Sequence, residues 1–193
     1  MLNCEKIEIQ RKIANNHVEN HEYGLAYEVF LSCFHSHRNP DDLYNAAENL
    51  LFLGETIGAY ELLEKELATI ENDHPAATAR AIGLQARILR YFQCFDEALE
   101  CLNLSIDMDP ESSELYYNRA LVFKELKQTD RALKEVGRAL KLNREDGRLH
   151  LEKARLLEEI GEQGKAIEAF ARAAFYGEEK EDALSRLINL YGS

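Results

Sequence analysis

Along most of the chain, apolar side chains return every three or four residues, the spacing that gathers them on one face of a helix, and short polar turns interrupt the pattern. Small residues keep the same beat. Ala14, Ala47, Ala86, Ala120 and Ala154 are separated by 33, 39, 34 and 34 residues, and Ala26, Ala59, Ala98, Ala132 and Ala166 repeat those spacings 12 residues further on. Between the two alanines lies a large side chain in four of the five units, Leu50, Leu89, Phe123 and Leu157, followed by a turn such as LGET, YFQCFDE, LKQTDR or IGEQGK. Four residues after the second alanine stands another large residue, Phe30, Leu63, Leu102, Val136 or Phe170. The pattern predicts a helical hairpin repeated five times, with alanine where antiparallel helices approach closely and bulky residues filling the space beside it.

Pro40, Pro75 and Pro110 are the only prolines, 35 residues apart each time, and they read as helix boundaries because proline cannot continue a helix and restricts the residue before it. The first two units are looser than the rest. His17 replaces the large residue of the first helix, Glu66 occupies a small position, and five extra residues within ATIENDHPAATA separate the second and third units. EDALSRLINLY, residues 181–191, begins another first helix with Ile188 at the alanine position, and it is expected to cover the last apolar face of the stack.

The segments LQARILRYFQCFDEALECLNLSIDMDP, YYNRALVFKELKQTDRALKEVGRALKLN and HLEKARLLEEIGEQGKAIEAFARAAFY resemble the tetratricopeptide repeat (TPR), and the likeness runs from about residue 7 to residue 178. It implies an all-α fold: one right-handed α-solenoid over residues 1–193, with five TPR-like hairpins near 7–39, 40–78, 79–112, 113–146 and 147–180 and a C-terminal capping helix.

Thirty-five acids against 23 Lys and Arg give a net charge of −12, which repels nucleic acid and anionic membranes and favours protein partners. MLNCEKIEIQ has no secretory pattern, and there is no run of 18 apolar residues. Cys4, Cys33, Cys94 and Cys101 form no CxxC pair and read as reduced thiols, so a cytoplasmic location is expected. No nucleotide, hydrolase or metalloprotease motif occurs, and the expectation is a non-enzymatic protein without a cofactor. His17 with His21, and the CxHxH of Cys33, His35 and His37, supply ligand types for zinc. Yet His17 falls at a packing position and His35 and His37 in an inter-repeat turn, so no metal site is expected. Cys94 and Cys101 fall in a turn and on the next helix, with no redox role expected. Tyr116 takes the repeat's aromatic packing position and no broad basic face surrounds it, which argues against nucleic-acid binding.

The resemblance implies that the first helices of successive hairpins line a concave groove that takes a peptide. In the register of the alanines this groove would present Arg11, Asn15, Tyr44, Asn45, Arg80, Arg87, Arg90, Tyr91, Tyr117, Lys124, Arg148 and Arg155. ARAIGLQARILRY holds three of these arginines and no acid, and the 100° turn per residue places them within about 80° of one another on one face. The leading expectation is an adaptor that binds an acidic or carboxylate-bearing segment. Three other readings stand beside it. The cations could pair with acids of neighbouring helices such as Glu48, Glu114 and Glu125. The groove could hold another copy of the chain, making a homo-oligomer. Finally, Arg11, Asn15, Asn45 and Arg80 resemble the carboxylate clamp of chaperone-binding repeats, with Leu84 where its last arginine would stand.

Overall fold

A computed structural model describes residues 2–70, 73–177 and 180–191, with side chains from 6 to 190 of these; the Cys4 side chain and residues 71 and 72 of the ATIENDHPAATA insertion lie outside what is described. All regular structure among the described residues is helical. In chain order the helices are α1 (Leu2–Glu19), α2 (Tyr23–His37), α3 (Pro40–Phe52), α4 (Thr56–Leu67), α5 (Pro75–Tyr91), α6 (Phe95–Met108), α7 (Ser113–Glu125), α8 (Thr129–Leu142), α9 (Gly147–Glu159), α10 (Gln163–Tyr176) and α11 (Lys180–Tyr191). They make five hairpins and a closing helix.

Helix starts follow from local chemistry. Pro40 and Pro75 each occupy a first helical position, where the missing N–H would have had no partner. The Asn39 side chain accepts from the Asp41 N–H at 2.9 Å, and Asp146 accepts from the N–H groups of Arg148 and Leu149 at 2.9 and 3.4 Å. The third first helix was expected from residue 79 but begins at Pro75, so part of the insertion is an extra turn of α5. His35 and His37 stand in the last turn of α2, not in a turn between repeats as expected.

The five turns inside the hairpins share one backbone device. His21, Gly54, Gln93, Lys127 and Gly161 all have positive φ, between 59 and 81°, and each lies five positions before the second alanine of its unit. The next residue's N–H reaches back across the turn to a first-helix carbonyl: Glu22 to His17, Glu55 to Leu50, Cys94 to Leu89, Gln128 to Phe123 and Glu162 to Leu157, all at 2.8–2.9 Å. This is the Schellman closure, and in four of the five turns its acceptor is the residue the hydrophobic pattern marked as large, His17 standing there in the first.

The chain divides into two compact units, Met1–Pro110 and Glu111–Ser193. In the first, Phe34, Leu43, Ala47, Leu63, Leu84 and Ile88 form a buried cluster, and Ala14, Ala26, Phe30 and Ala46 form another. In the second, Ala120, Ala132, Val136 and Leu156 pack together, and Leu151, Phe170 and Ala173 pack with Ala183 of α11. All ten repeat alanines are at most 1% exposed and the five large second-helix residues at most 2%. The close approach inferred from the spacing is therefore the core itself.

Glu66, at a position expected to be small, is buried and satisfied by charge. Arg38 reaches it at 2.9 Å, Lys65 at 3.1 Å and His35 at 3.6 Å. Burial pushes its carboxyl up, but the hydrogen bonds from Lys65 and Arg38 outweigh that and hold it below its ordinary value.

The turns yield a stability prediction. A non-glycine residue in the left-handed region carries strain of about 1–2 kcal/mol, partly offset by the roughly 0.5–1 kcal/mol of extra chain entropy that glycine loses on folding. Lys127→Gly should therefore raise stability in urea unfolding by about 0.5–1 kcal/mol, and Gly161→Ala should lower it by a similar amount.

Candidate functional site

In the first unit the candidate surface is built on α3 and α5. Asp41, Tyr44 and Glu48 follow a three- and four-residue spacing and share one face of α3. Arg80 of α5 meets them: its NH1 lies 3.0 Å from Asp41 Oδ1, and its guanidinium carbon stands 4.7 Å from the centre of the Tyr44 ring. The Tyr44 hydroxyl donates to Glu48 Oε1 at 2.8 Å, and Arg87 lies 3.9 Å from the same carboxylate. Burial, and then the bond to Glu48, push the Tyr44 hydroxyl up to about 12.

The second unit holds the same constellation. Arg148 of α9 reaches Glu114 of α7 at 3.3 Å, and its guanidinium carbon lies 5.8 Å from the centre of the Tyr117 ring. Asp146 adds a second carboxylate to Arg148 at 3.1 Å. The positions correspond: Asp41 and Glu114 stand six residues before Ala47 and Ala120, Tyr44 and Tyr117 three before them, and Arg80 and Arg148 six before Ala86 and Ala154. Register analysis placed the cations and tyrosines on this face but did not show that an acid, a tyrosine and the next repeat's arginine form a set occurring twice.

The other predicted residues separate into kinds. Arg11 donates from Nε and NH2 to the two carboxylate oxygens of Asp42 at 2.8 and 2.7 Å, and Asp42 is 1% exposed. That bidentate pair joins α1 to α3 and is part of the packing. Asn15 is exposed, Asn45 is half-buried and accepts from the Asn49 amide through its carbonyl at 2.8 Å, and Leu84 is in the core. Lys124 pairs with the buried Glu152 at 2.6 Å, and Arg155 pairs with Asp182 of α11 at 2.6 Å. Arg90 is half-buried and has a partner within the chain. Tyr91 is 72% exposed and packs edge-on against Phe92. The cations thus meet acids of neighbouring helices, Glu48 and Glu114 among them. Exposed pairs of this kind contribute only about 0–1 kcal/mol each.

The residues considered for other chemistry are engaged locally. His17 Nδ1 lies 2.6 Å from Glu22, and His21 Nδ1 lies 2.7 Å from the Tyr23 hydroxyl. Among the described residues no group of three or more His, Cys, Asp or Glu stands together as a metal site would require. Burial pushes the Cys33 and Cys101 thiols up, away from the thiolate that redox or nucleophilic chemistry uses. Tyr116 is half-buried with Arg119 over its ring at 5.5 Å.

Comparison with known proteins bears on the fold. Tetratricopeptide repeat models match residues 94–134 and 117–183. The Pseudomonas aeruginosa pilF structure is 20% identical and superposes with a TM-score of 0.81, covering 100% of this chain and 87% of that one. A thermophilic TPR protein of Thermus thermophilus is 20% identical with a TM-score of 0.70, covering 97% of this chain and 100% of that one. MamA of Desulfovibrio magneticus is 19% identical with a TM-score of 0.68, covering 87% of this chain and 93% of that one. No curated protein matches the chain. Residues 94–183 thus match tetratricopeptide repeats, and the five hairpins and closing helix of the described residues have the all-α fold of such solenoids. Repeats of this class are protein-interaction modules. No helix among the described residues is long and apolar enough to cross a membrane.

Tyr44 gives the surface a pH signature. Its neutral form is favoured by folding, so its contribution is complete below its ordinary value of 10.0 and is lost as pH rises from there towards about 12. In an ultraviolet titration of tyrosinate, Tyr44→Phe should remove one residue from the last phase to ionise. It should also flatten the fall in stability over the same pH window.

Proposed function

We propose that the chain is a non-enzymatic adaptor whose first-helix surfaces bind acidic or carboxylate-bearing peptide segments, one position in each unit. The observation that carries this reading is the twofold occurrence of an arginine held over a tyrosine and beside a carboxylate. In both copies the arginine is about half exposed, 50% for Arg80 and 57% for Arg148, and so is its acid, 42% for Asp41 and 48% for Glu114. A partner carboxylate can take the place of the internal one, keeping a charge-assisted hydrogen bond while the tyrosine ring fixes the plane of the guanidinium. Arg87 and Lys124 stand on the same helices as further cations, and Tyr91 offers an exposed ring. The whole chain as one solenoid, acting in the cytoplasm, belongs to the same reading.

A second reading is self-association. Leu184 and Ile188, one helical turn apart on α11, are 49 and 71% exposed, and Phe175 on α10 is 76% exposed. An apolar face of this kind at the end of the second unit suits a contact with another copy.

The test is fluorescence anisotropy with labelled Asp- and Glu-rich peptides, each with a free or an amidated C-terminus, against the wild type and an Arg80→Glu, Arg148→Glu double variant. Binding should weaken about tenfold or more in the double variant and fall as salt is raised, while circular dichroism stays unchanged. Equal binding by the variant would overturn the proposal. Light scattering over a concentration series of Ile188→Glu and wild-type protein decides the second reading: a wild-type monomer at every concentration excludes it.

A further inference from the structure

The second unit carries a basic pocket on a face that the peptide reading does not use. It has a volume of about 460 Å³ and lies where α8, the α8–α9 loop, α9 and α10 meet; its polar lining is Lys141, Arg144, His150, Lys153, Arg172 and Tyr176. Four of these residues are permanent cations and no acid lines the pocket, in a chain with 35 acids and 23 Lys and Arg. Arg172 pairs with Glu168 at 2.6 Å. The side chains of Lys141, Arg144 and Lys153 have no ion pair among the described residues, unlike Arg80 and Arg148.

His150 supplies an independent sign. It is 4% exposed and its ring stacks on Tyr176, with centroids 5.6 Å apart and planes 20° from parallel. Its Nε2 lies 2.8 Å from the Arg144 carbonyl oxygen, which can only accept, so Nε2 carries the proton. Nδ1 is buried and has no hydrogen-bond partner among the described residues. A buried polar atom without a partner is uncommon enough to need a reason. An absent ligand is such a reason when the surrounding side chains all favour one charge.

We propose that this pocket binds a phosphomonoester. One carboxylate would leave most of the four cations unmatched, whereas a phosphate presents three terminal oxygens and close to two negative charges. Lys141 and Lys153 act as point charges, Arg144 and Arg172 as forked donors. With the proton on Nε2, the Nδ1 atom of His150 can accept a hydrogen bond from the hydroxyl of the phosphate in its monoanionic form. Leu140 and the Tyr176 ring, both at the pocket, cover the organic part of the ester. The volume is that of a small-molecule site.

Calorimetry on the full chain tests this with phenyl phosphate, benzoate, a phosphotyrosine peptide and the same peptide without phosphate. Phenyl phosphate should bind about tenfold or more tightly than benzoate, and an Arg144→Gln, Lys153→Gln double variant should lose about tenfold or more. The imidazole nitrogen signals of His150 should shift when phenyl phosphate is added. A phosphopeptide that binds more tightly than phenyl phosphate assigns the ester to a modified side chain; one that binds no more tightly assigns it to a free small molecule. Absence of phosphate binding, equal binding of benzoate, or an unaffected double variant would each overturn the proposal. Arg80→Glu with Arg148→Glu should leave phosphate binding unchanged, which keeps this result separate from that for the peptide surfaces.

Discussion

In each hairpin the two helices come close enough that only a methyl group fits between them, and the remaining features of the molecule are arranged around that contact. Ten alanines occupy these approaches, and the large residue four positions after each second alanine fills the space the alanine leaves open. Because close packing consumes one stripe of each first helix, the stripe beside it is left at the edge of the core. Asp41, Tyr44 and Glu48 of α3, and Glu114 and Tyr117 of α7, stand on that second stripe. The contact thus decides which residues a partner can touch.

Electrostatics separates the surfaces more sharply than composition does. Where first helices adjoin, cations and acids alternate and satisfy one another, so the arginines are already oriented. The pocket around His150 works differently, because three of its four cations, Lys141, Arg144 and Lys153, have no ion pair among the described residues and only Arg172 meets an acid. A group held by mutual compensation exchanges partners at little net change, whereas a group of like charges gains from any anion that enters. One acidic chain therefore carries two electrostatic settings for its cations.

Much of the fold was legible because helix packing leaves a periodic trace. The alanine spacing marked both helices of every hairpin, and the prolines marked two helix starts, at Pro40 and Pro75. The trace failed where local chemistry replaced the usual residue. Glu66 appeared to be an error at a small position and is instead a buried carboxylate answered by Arg38, Lys65 and His35 from nearby turns. The insertion's length was visible, but not that α5 would absorb part of it. The candidate site was legible as a face and not as a set of contacts: the register put Arg80 and Arg148 on one helical stripe, while the first-helix acids and tyrosines they meet lie 31 to 39 residues earlier. Arg11 looked like a ligand group because exposure cannot be read from spacing, and its carboxylate partner is buried. The His150 pocket left no periodic signal at all, since its residues come from three helices and a loop.

The turn closures bear on how the chain reaches this state. Each is made by backbone groups five residues apart, asks nothing of the side chains it spans, and forms without any contact from another repeat. Such short-range closures cost little loop entropy, so every hairpin carries its own point of nucleation and the fold can grow from any of them towards its neighbours. A chain built in this way has no obligatory first step.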